Sequence, residues 1–205
     1  MLLSTAYFPP VQWFALAARY KQASVEACER YQKQSYRNRC YILAGDGREM
    51  LQVPVVHGAS WEICDVLVDY STPWVLRTQR ALDTAYENSA FFEYYRDGLY
   101  EIMDSRPSRL WDLNMQLTQW CLDRLHLDCL ITPTSAFTAP GTDPDDYRSV
   151  IHPKHPDTVL RDLGIERPYY QVFRDRMGGF TPGLSILDLL FNEGPDAADW
   201  ILPGV

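Results

Sequence analysis

The stretch Arg30-Tyr-Gln-Lys-Gln-Ser-Tyr-Arg-Asn-Arg39 gathers the groups best suited to gripping an anion. Between Arg19 and Arg39, six basic residues (Arg19, Lys21, Arg30, Lys33, Arg37, Arg39) stand against only Glu26 and Glu29, an excess of four positive charges. The whole chain has 19 Lys+Arg and 27 Asp+Glu, net charge −8, so everything outside this stretch carries −12. A cationic island in an acidic protein suits a small anion, because the long-range field repels polyanions while a pocket holds one small charge. Arg37 and Arg39 can bond phosphate or carboxylate in bidentate fashion, and Lys33 adds a point charge. Tyr31 and Tyr36 offer flat rings, and Gln32 and Asn38 offer neutral hydrogen bonds, as recognition of a sugar or base requires. The same run would serve equally well as a solvated edge pairing with the protein's own carboxylates.

A second group lies in Arg148-Ser-Val-Ile-His-Pro-Lys-His155. His152 could move a proton and Lys154 could clamp an anion. His152 and His155 are three apart, but Pro153 and Pro156 preclude the helix that would align two imidazoles on a metal, so the expectation is no metal. Asp188, on a C-terminal helix with Asn192 one turn on, could aim a carboxylate into a cleft. Cys40, beside Arg39, is a candidate for a thiol of lowered pKa. The chain contains no G-x-S-x-G, G-K-[ST] phosphate loop, G-x-G-x-x-G or H-E-x-x-H, so no cofactor is expected. The five cysteines are scattered without a C-x-x-C and read as reduced, mostly buried thiols. No run approaches the ~20 apolar residues of a membrane span, and the N-terminus lacks a positive leader, so a cytoplasmic protein that meets neither membrane nor nucleic acid is expected.

These residues need a scaffold, and the 205-residue chain, 46% hydrophobic and 13% aromatic, is long enough for one well-filled domain over 1–205. Residues 2–8 suit a strand ended by Pro9-Pro10, and Val11, Phe14, Ala15 and Ala18 give a helix over about 10–20. Further strands are expected at 24–29, at 41–43 and 50–56 as a hairpin around Gly45-Asp46-Gly47, at 63–70 and at 127–132. Thr72-Pro73 opens a central helical block, continued by stripes at Phe92–Met103 and Leu110–Cys121. Residues 134–157 read as a long ordered loop. Ser185-x-x-Asp188 reads as a capping box opening a terminal helix that Gly194-Pro195 stops. The fold class is therefore α/β: one mixed-sheet domain with a central helical block and a C-terminal helix.

Several blocks together resemble the WbqC-like family of bacterial proteins: STAYFPPVQWFA, EACERYQKQSYRNRC, LQVPV after its GDG turn, TAYENSAFFEYY, RSVIHPK and PYYQVF…GFTPGLSILDLLFNEGP. Lys33-x-x-x-Arg37-Asn38-Arg39 and the LSILDLLFNEGP ending are the specific parts. Where members carry a Gln-Pro-x-Tyr-x-Pro segment, this chain has Thr5-Ala-Tyr7-Phe-Pro9. The family is named from an O-antigen gene cluster, and the resemblance implies cytoplasmic work connected with cell-surface polysaccharide. Two readings follow. In the first, an enzyme transfers a group from a phosphorylated, nucleotide-activated or carboxylate-bearing donor; Lys33, Arg37, Arg39 and Lys154 hold the anion, Tyr31 and Asn38 orient the ligand, and His152 or Asp188 handles the proton. In the second, the same surface is a non-catalytic ligand-binding or protein-interaction module. Convergence in one cleft separates the first from a docking face. Under either reading, loss of the basic residues is expected to leave folding intact.

Overall fold

The computed structural model of the protein describes residues 1–202. Its organising unit is a parallel crossover. Strand β1 (Leu2–Ser4) runs into Pro9-Pro10 and helix α1 (Val11–Tyr20), which returns as strand β2 (Gln22–Glu26) beside β1, with Leu2 opposite Ser24 and Ser4 opposite Glu26. Every residue of α1 from Val11 to Ala18 is buried, including Gln12, so the helix is covered on more than its sheet-facing side. It ends where Lys21 turns left-handed (φ 55°) and donates its N–H to the Ala17 carbonyl.

The next residues build a two-stranded antiparallel ribbon, β3 (Arg39–Ala44) and β4 (Gly47–Gln52), joined by Gly45-Asp46. The positive φ falls on Gly47 (129°), the first residue of the returning strand. Pro54 interrupts the ladder, and β5 (Val55–Val56) pairs instead with β6 (Leu67–Val68). The strand expected over 63–70 shrinks to those two residues, because Asp65 donates its N–H to the Glu62 carbonyl and closes a 3₁₀ turn over Ile63–Asp65.

The central block consists of α2 (Trp74–Tyr86), α3 (Phe92–Asp104) and α4 (Leu110–Arg124). Their predicted stripes are the buried faces: Leu82 and Tyr86, Phe92 and Leu99, Leu113 and Leu117. Thr72 does not cap α2, which starts after Pro73 without a side-chain cap. From α4 the chain enters β7 (Leu130–Pro133), parallel to β2, giving the order β1-β2-β7.

Residues 134–157 carry no helix and no strand. They cross the sheet's carboxyl end and come back along the far side of β1. There Leu2 donates to the Asp145 carbonyl (2.9 Å) and receives the Tyr147 N–H on its own carbonyl (3.0 Å). A four-residue helix α5 (Val159–Asp162) follows, and α6 (Ile186–Glu193) packs against α1, α3 and β3. Ser185 caps α6 by accepting the Leu187 N–H (3.2 Å). Asp188 does not complete a capping box, since its carboxylate is turned into the core. Gly194-Pro195 stops α6 as expected, Gly194 being its C-cap, and the chain continues in a 3₁₀ helix over Gly194–Trp200. One continuous buried cluster runs from Leu3 to Ile201. The architecture is mixed α/β with a central helical block and a C-terminal helix.

Candidate functional site

Parallel strands leave their carboxyl ends open to a crevice, the usual ligand position in α/β sheets. Here β1 ends at Ser4, β2 at Glu26 and β7 at Pro133. The segments leaving β2 and β7 enclose an open cleft of about 790 Å³, a size suited to a nucleotide or sugar phosphate. A second cavity beside α6, lined by Asp157, Tyr169 and Trp200 among others, holds only about 30 Å³.

The walls of the cleft are two clamped guanidiniums. Arg37 sits in a 3₁₀ turn (Tyr36–Asn38) capped by Ser35, and is 5% exposed. Its Nε and Nη2 donate to the two carboxylate oxygens of Glu29 (2.8 and 2.5 Å), Nη2 also to the Ser4 hydroxyl (2.8 Å), and Nη1 to Gln32 Oε1 (3.2 Å). Arg148 makes the matching set: Nε and Nη2 to Asp146 (2.9 and 2.6 Å), Nη2 to the Thr138 carbonyl (2.8 Å), Nη1 to Glu26 (3.2 Å). A guanidinium has five N–H groups, so among the described residues each arginine keeps one Nη1 hydrogen unengaged.

Glu26 is wholly buried. Burial works to raise its pKa, but hydrogen bonds from the Thr134 hydroxyl and from the Thr138 and Cys28 amides, with the charge of Arg148, outweigh it and hold the carboxyl below its ordinary value. Asp146 is also held low, first by its hydrogen bond from Arg148. The floor and its partners thus comprise three carboxylates (Glu26, Glu29, Asp146) and three guanidiniums (Arg30, Arg37, Arg148), a balanced set.

Tyr31 and Phe137 give the cleft two aromatic faces. Tyr31 stacks on Trp61 (centroids 5.8 Å, 22°), and Phe137 is 55% exposed with the Arg148 guanidinium near its ring. His152 and His155 complete the rim, ring centroids 5.1 Å apart. The pKa of His152 is lowered, first by burial and then by the charges of His155, Arg37 and Lys154. Among the described residues no group of three or more His, Cys, Asp or Glu could hold a metal.

Of the candidate residues, Tyr31, Arg37 and His152 meet in this cleft, and the others stand elsewhere. Lys33 and Lys154 are exposed and do not line it; only the Lys154 amide takes part, donating to His152 Nδ1. Asn38 is buried with its amide on the Val53 carbonyl (2.9 Å), a scaffold role. Arg39 opens β3 outside the lining, its Nε buried. Asp188 lies under α2, accepting from Tyr86 (2.8 Å), Tyr169 (2.7 Å) and Gln171 (2.8 Å); burial raises its pKa to about 6 against those three donors. The Cys40 thiol is buried, and burial pushes its pKa up rather than down. The expectation that the basic residues are dispensable for folding does not suit the place of Arg37, whose charge neutralises buried Glu29. Sequence reasoning missed Glu29, Asp146, Phe137 and the structural importance of Arg148; the signal available was the pair of acids inside the basic run and the arginine opening RSVIHPKH.

The model of the WbqC-like protein family matches residues 5–161, which include every residue of the cleft lining. The chain is also similar to "Uncharacterized protein Rv1507c" of Mycobacterium tuberculosis, 26% identical over an alignment of 222 residues that covers 98% of this chain and 96% of that protein. No solved structure matches.

Proposed function

Because the chain belongs to the WbqC-like protein family, and because its cleft joins anion donors to histidines, we propose that it is a transferase of cell-surface polysaccharide (O-antigen) biosynthesis. It takes a small anionic donor, a phosphorylated or nucleotide-activated sugar or a carboxylate-bearing molecule, and works as one domain in the cytoplasm. The observation that carries this reading is the convergence of Arg37, Arg148, His152 and His155 on one cleft at the carboxyl ends of three parallel strands. The unengaged Nη1 hydrogens suit a donor's phosphate or carboxylate oxygens, and preorganised donors aimed at developing negative charge are the largest lever in such chemistry. Tyr31 and Phe137 would flank the sugar or base. The charge balance of the floor favours a second reading, a module that holds its ligand without turnover.

Bound ligand raises stability by mass action, so a thermal-shift panel of UDP-glucose, sugar phosphates and carboxylates tests the proposal. A rise in Tm with one of these, weakened about tenfold in affinity by Phe137→Ala and unchanged by Lys33→Ala, is expected. No shift with any member overturns the anionic-ligand reading. Binding without turnover leaves the non-catalytic module.

A further inference from the structure

His152 and His155 lie on the same rim, yet their backbone partners fix opposite tautomers. His155 Nδ1 is 2.7 Å from the Ser149 carbonyl oxygen. A carbonyl can only accept, so Nδ1 carries the proton, and the neutral ring presents Nε2 as a bare lone pair. His152 Nδ1 instead accepts the Lys154 backbone N–H (3.2 Å). An amide nitrogen can only donate, so that Nδ1 is unprotonated and the neutral ring carries its proton on Nε2. Two adjacent imidazoles, both lining the cleft, thus offer one acceptor and one donor. Pro153 and Pro156 stiffen the backbone between and beside them, which helps hold the two rings in these roles.

We propose that His155 is the catalytic base of the cleft and that His152, as a neutral ring, donates its Nε2–H hydrogen bond to the departing oxygen. The inference rests on the transferase reading above and deepens it. In the step, an acceptor hydroxyl attacks the donor carbon that carries a phosphate leaving group. The acceptor oxygen–carbon bond forms, and the hydroxyl proton passes to His155 Nε2. The carbon–oxygen bond to phosphate breaks, and its electron pair leaves with the phosphate oxygen. That oxygen meets the Nη1 hydrogens of Arg37 and Arg148 and the His152 Nε2–H, so it needs no proton of its own. The lowered pKa of His152 fits a ring that stays neutral while its neighbour takes up the proton. A neutral imidazole polarising an oxygen beside a separate base is a known division of labour.

Two measurements on the full chain test the proposal. Nitrogen-detected NMR of the imidazoles, at a pH where both rings are neutral, should show His155 protonated on Nδ1 and His152 on Nε2. A His155 ring protonated on Nε2, or the same tautomer in both, overturns the inference without touching the ligand reading. The second measurement follows UDP release from UDP-glucose together with UDP-glucose binding. His155→Gln should lower turnover about a hundredfold or more while leaving the affinity for UDP-glucose within about twofold. Binding without turnover in the parent, or turnover unchanged in His155→Gln, overturns the catalytic role and leaves the anionic-ligand reading standing. Failure of the parent to bind UDP-glucose or any sugar phosphate removes the reading on which the inference rests.

Discussion

Removing the Arg37 guanidinium leaves Glu29, a residue 7% exposed, without the partner that holds both its carboxylate oxygens. Breaking one side of a buried ion pair costs about 3–5 kcal/mol, because the remaining charge stays in a poor solvent for it. Arg37→Ala should therefore lower the urea midpoint sharply, whereas Lys33→Ala, at an exposed position outside the cleft, should change stability by less than about 0.5 kcal/mol. Equal midpoints for the two variants would show that the pair with Glu29 contributes nothing to folding. This difference also marks the limit of the sequence at the site. Residue types told that Lys33, Arg37 and Arg39 were cationic, but direction is a tertiary property. Of the three only Arg37 lines the cleft, where the chain from Glu29 to Arg37 folds back through the left-handed Gln34 (φ 59°) and the acid is set against it. Nothing in spacing could show that Glu26, more than a hundred residues earlier, would take a hydrogen bond from Arg148 Nη1. His152 was legible as a proton-handling group on chemical type, while the complementary tautomer of His155 depends on a loop carbonyl that no pattern reveals.

At the scale of elements, Gly194 shows how a terminal helix is joined to the rest. Its φ is +58°, and a Cβ there would lie 2.4–2.6 Å from ring carbons of Phe91, a residue whose N–H is bonded to the Phe191 carbonyl. Gly194→Ala should cost about 3 kcal/mol, since neither the left-handed backbone nor the fixed ring can yield cheaply. Ser185→Ala, which removes only the cap of α6, should cost about 1 kcal/mol. Urea unfolding of both variants checks the order; a smaller loss at Gly194 would mean that the Phe91 contact relaxes. The four longer helices were legible in the sequence because a 3.6-residue stripe is local information repeated over several turns. The strands were not legible to the same degree. β6 has two residues and β1 three, too few for a period, and each exists because a distant partner supplies its hydrogen bonds. The sheet order β1-β2-β7 could not be read for the same reason: β7 lies beside β2 although the ribbon and the whole helical block separate them in sequence.

Across the whole molecule, two sets of carboxyls pull stability in opposite directions as pH changes. Burial raises Asp188 to about 6; burial first, and then the charge of Glu166, raise Asp157 to about 6 despite Arg48. Between their ordinary value of 3.8 and about 6, the folded protein holds these protons while the unfolded chain has released them. The folded state then binds more protons, so stability falls as pH rises through that window. A carboxyl raised that far changes stability by about 3 kcal/mol at most across the window. Glu26 and Asp146 act the other way: their folded values are depressed, so their contribution is present above the ordinary carboxyl range and is lost as pH falls through their folded values. The formal charge of −8 at pH 7 adds self-repulsion that also eases on mild acidification. Unfolding free energy should therefore be greatest toward the low end of that window, at about pH 4, and decline as pH rises from there and, as Glu26 and Asp146 take up protons, at lower pH. Asp188→Asn should remove much of the decline between pH 5 and 7. Its carbonyl can keep the Tyr169 and Gln171 donors, and its amide can turn to the Tyr86 oxygen, so the hydrogen bonds survive without the buried charge. Urea titrations of parent and variant across that range decide the matter. A parent most stable at pH 7, or a variant with the parent's slope, would show that Asp188 is already ionised in the folded protein at pH 5.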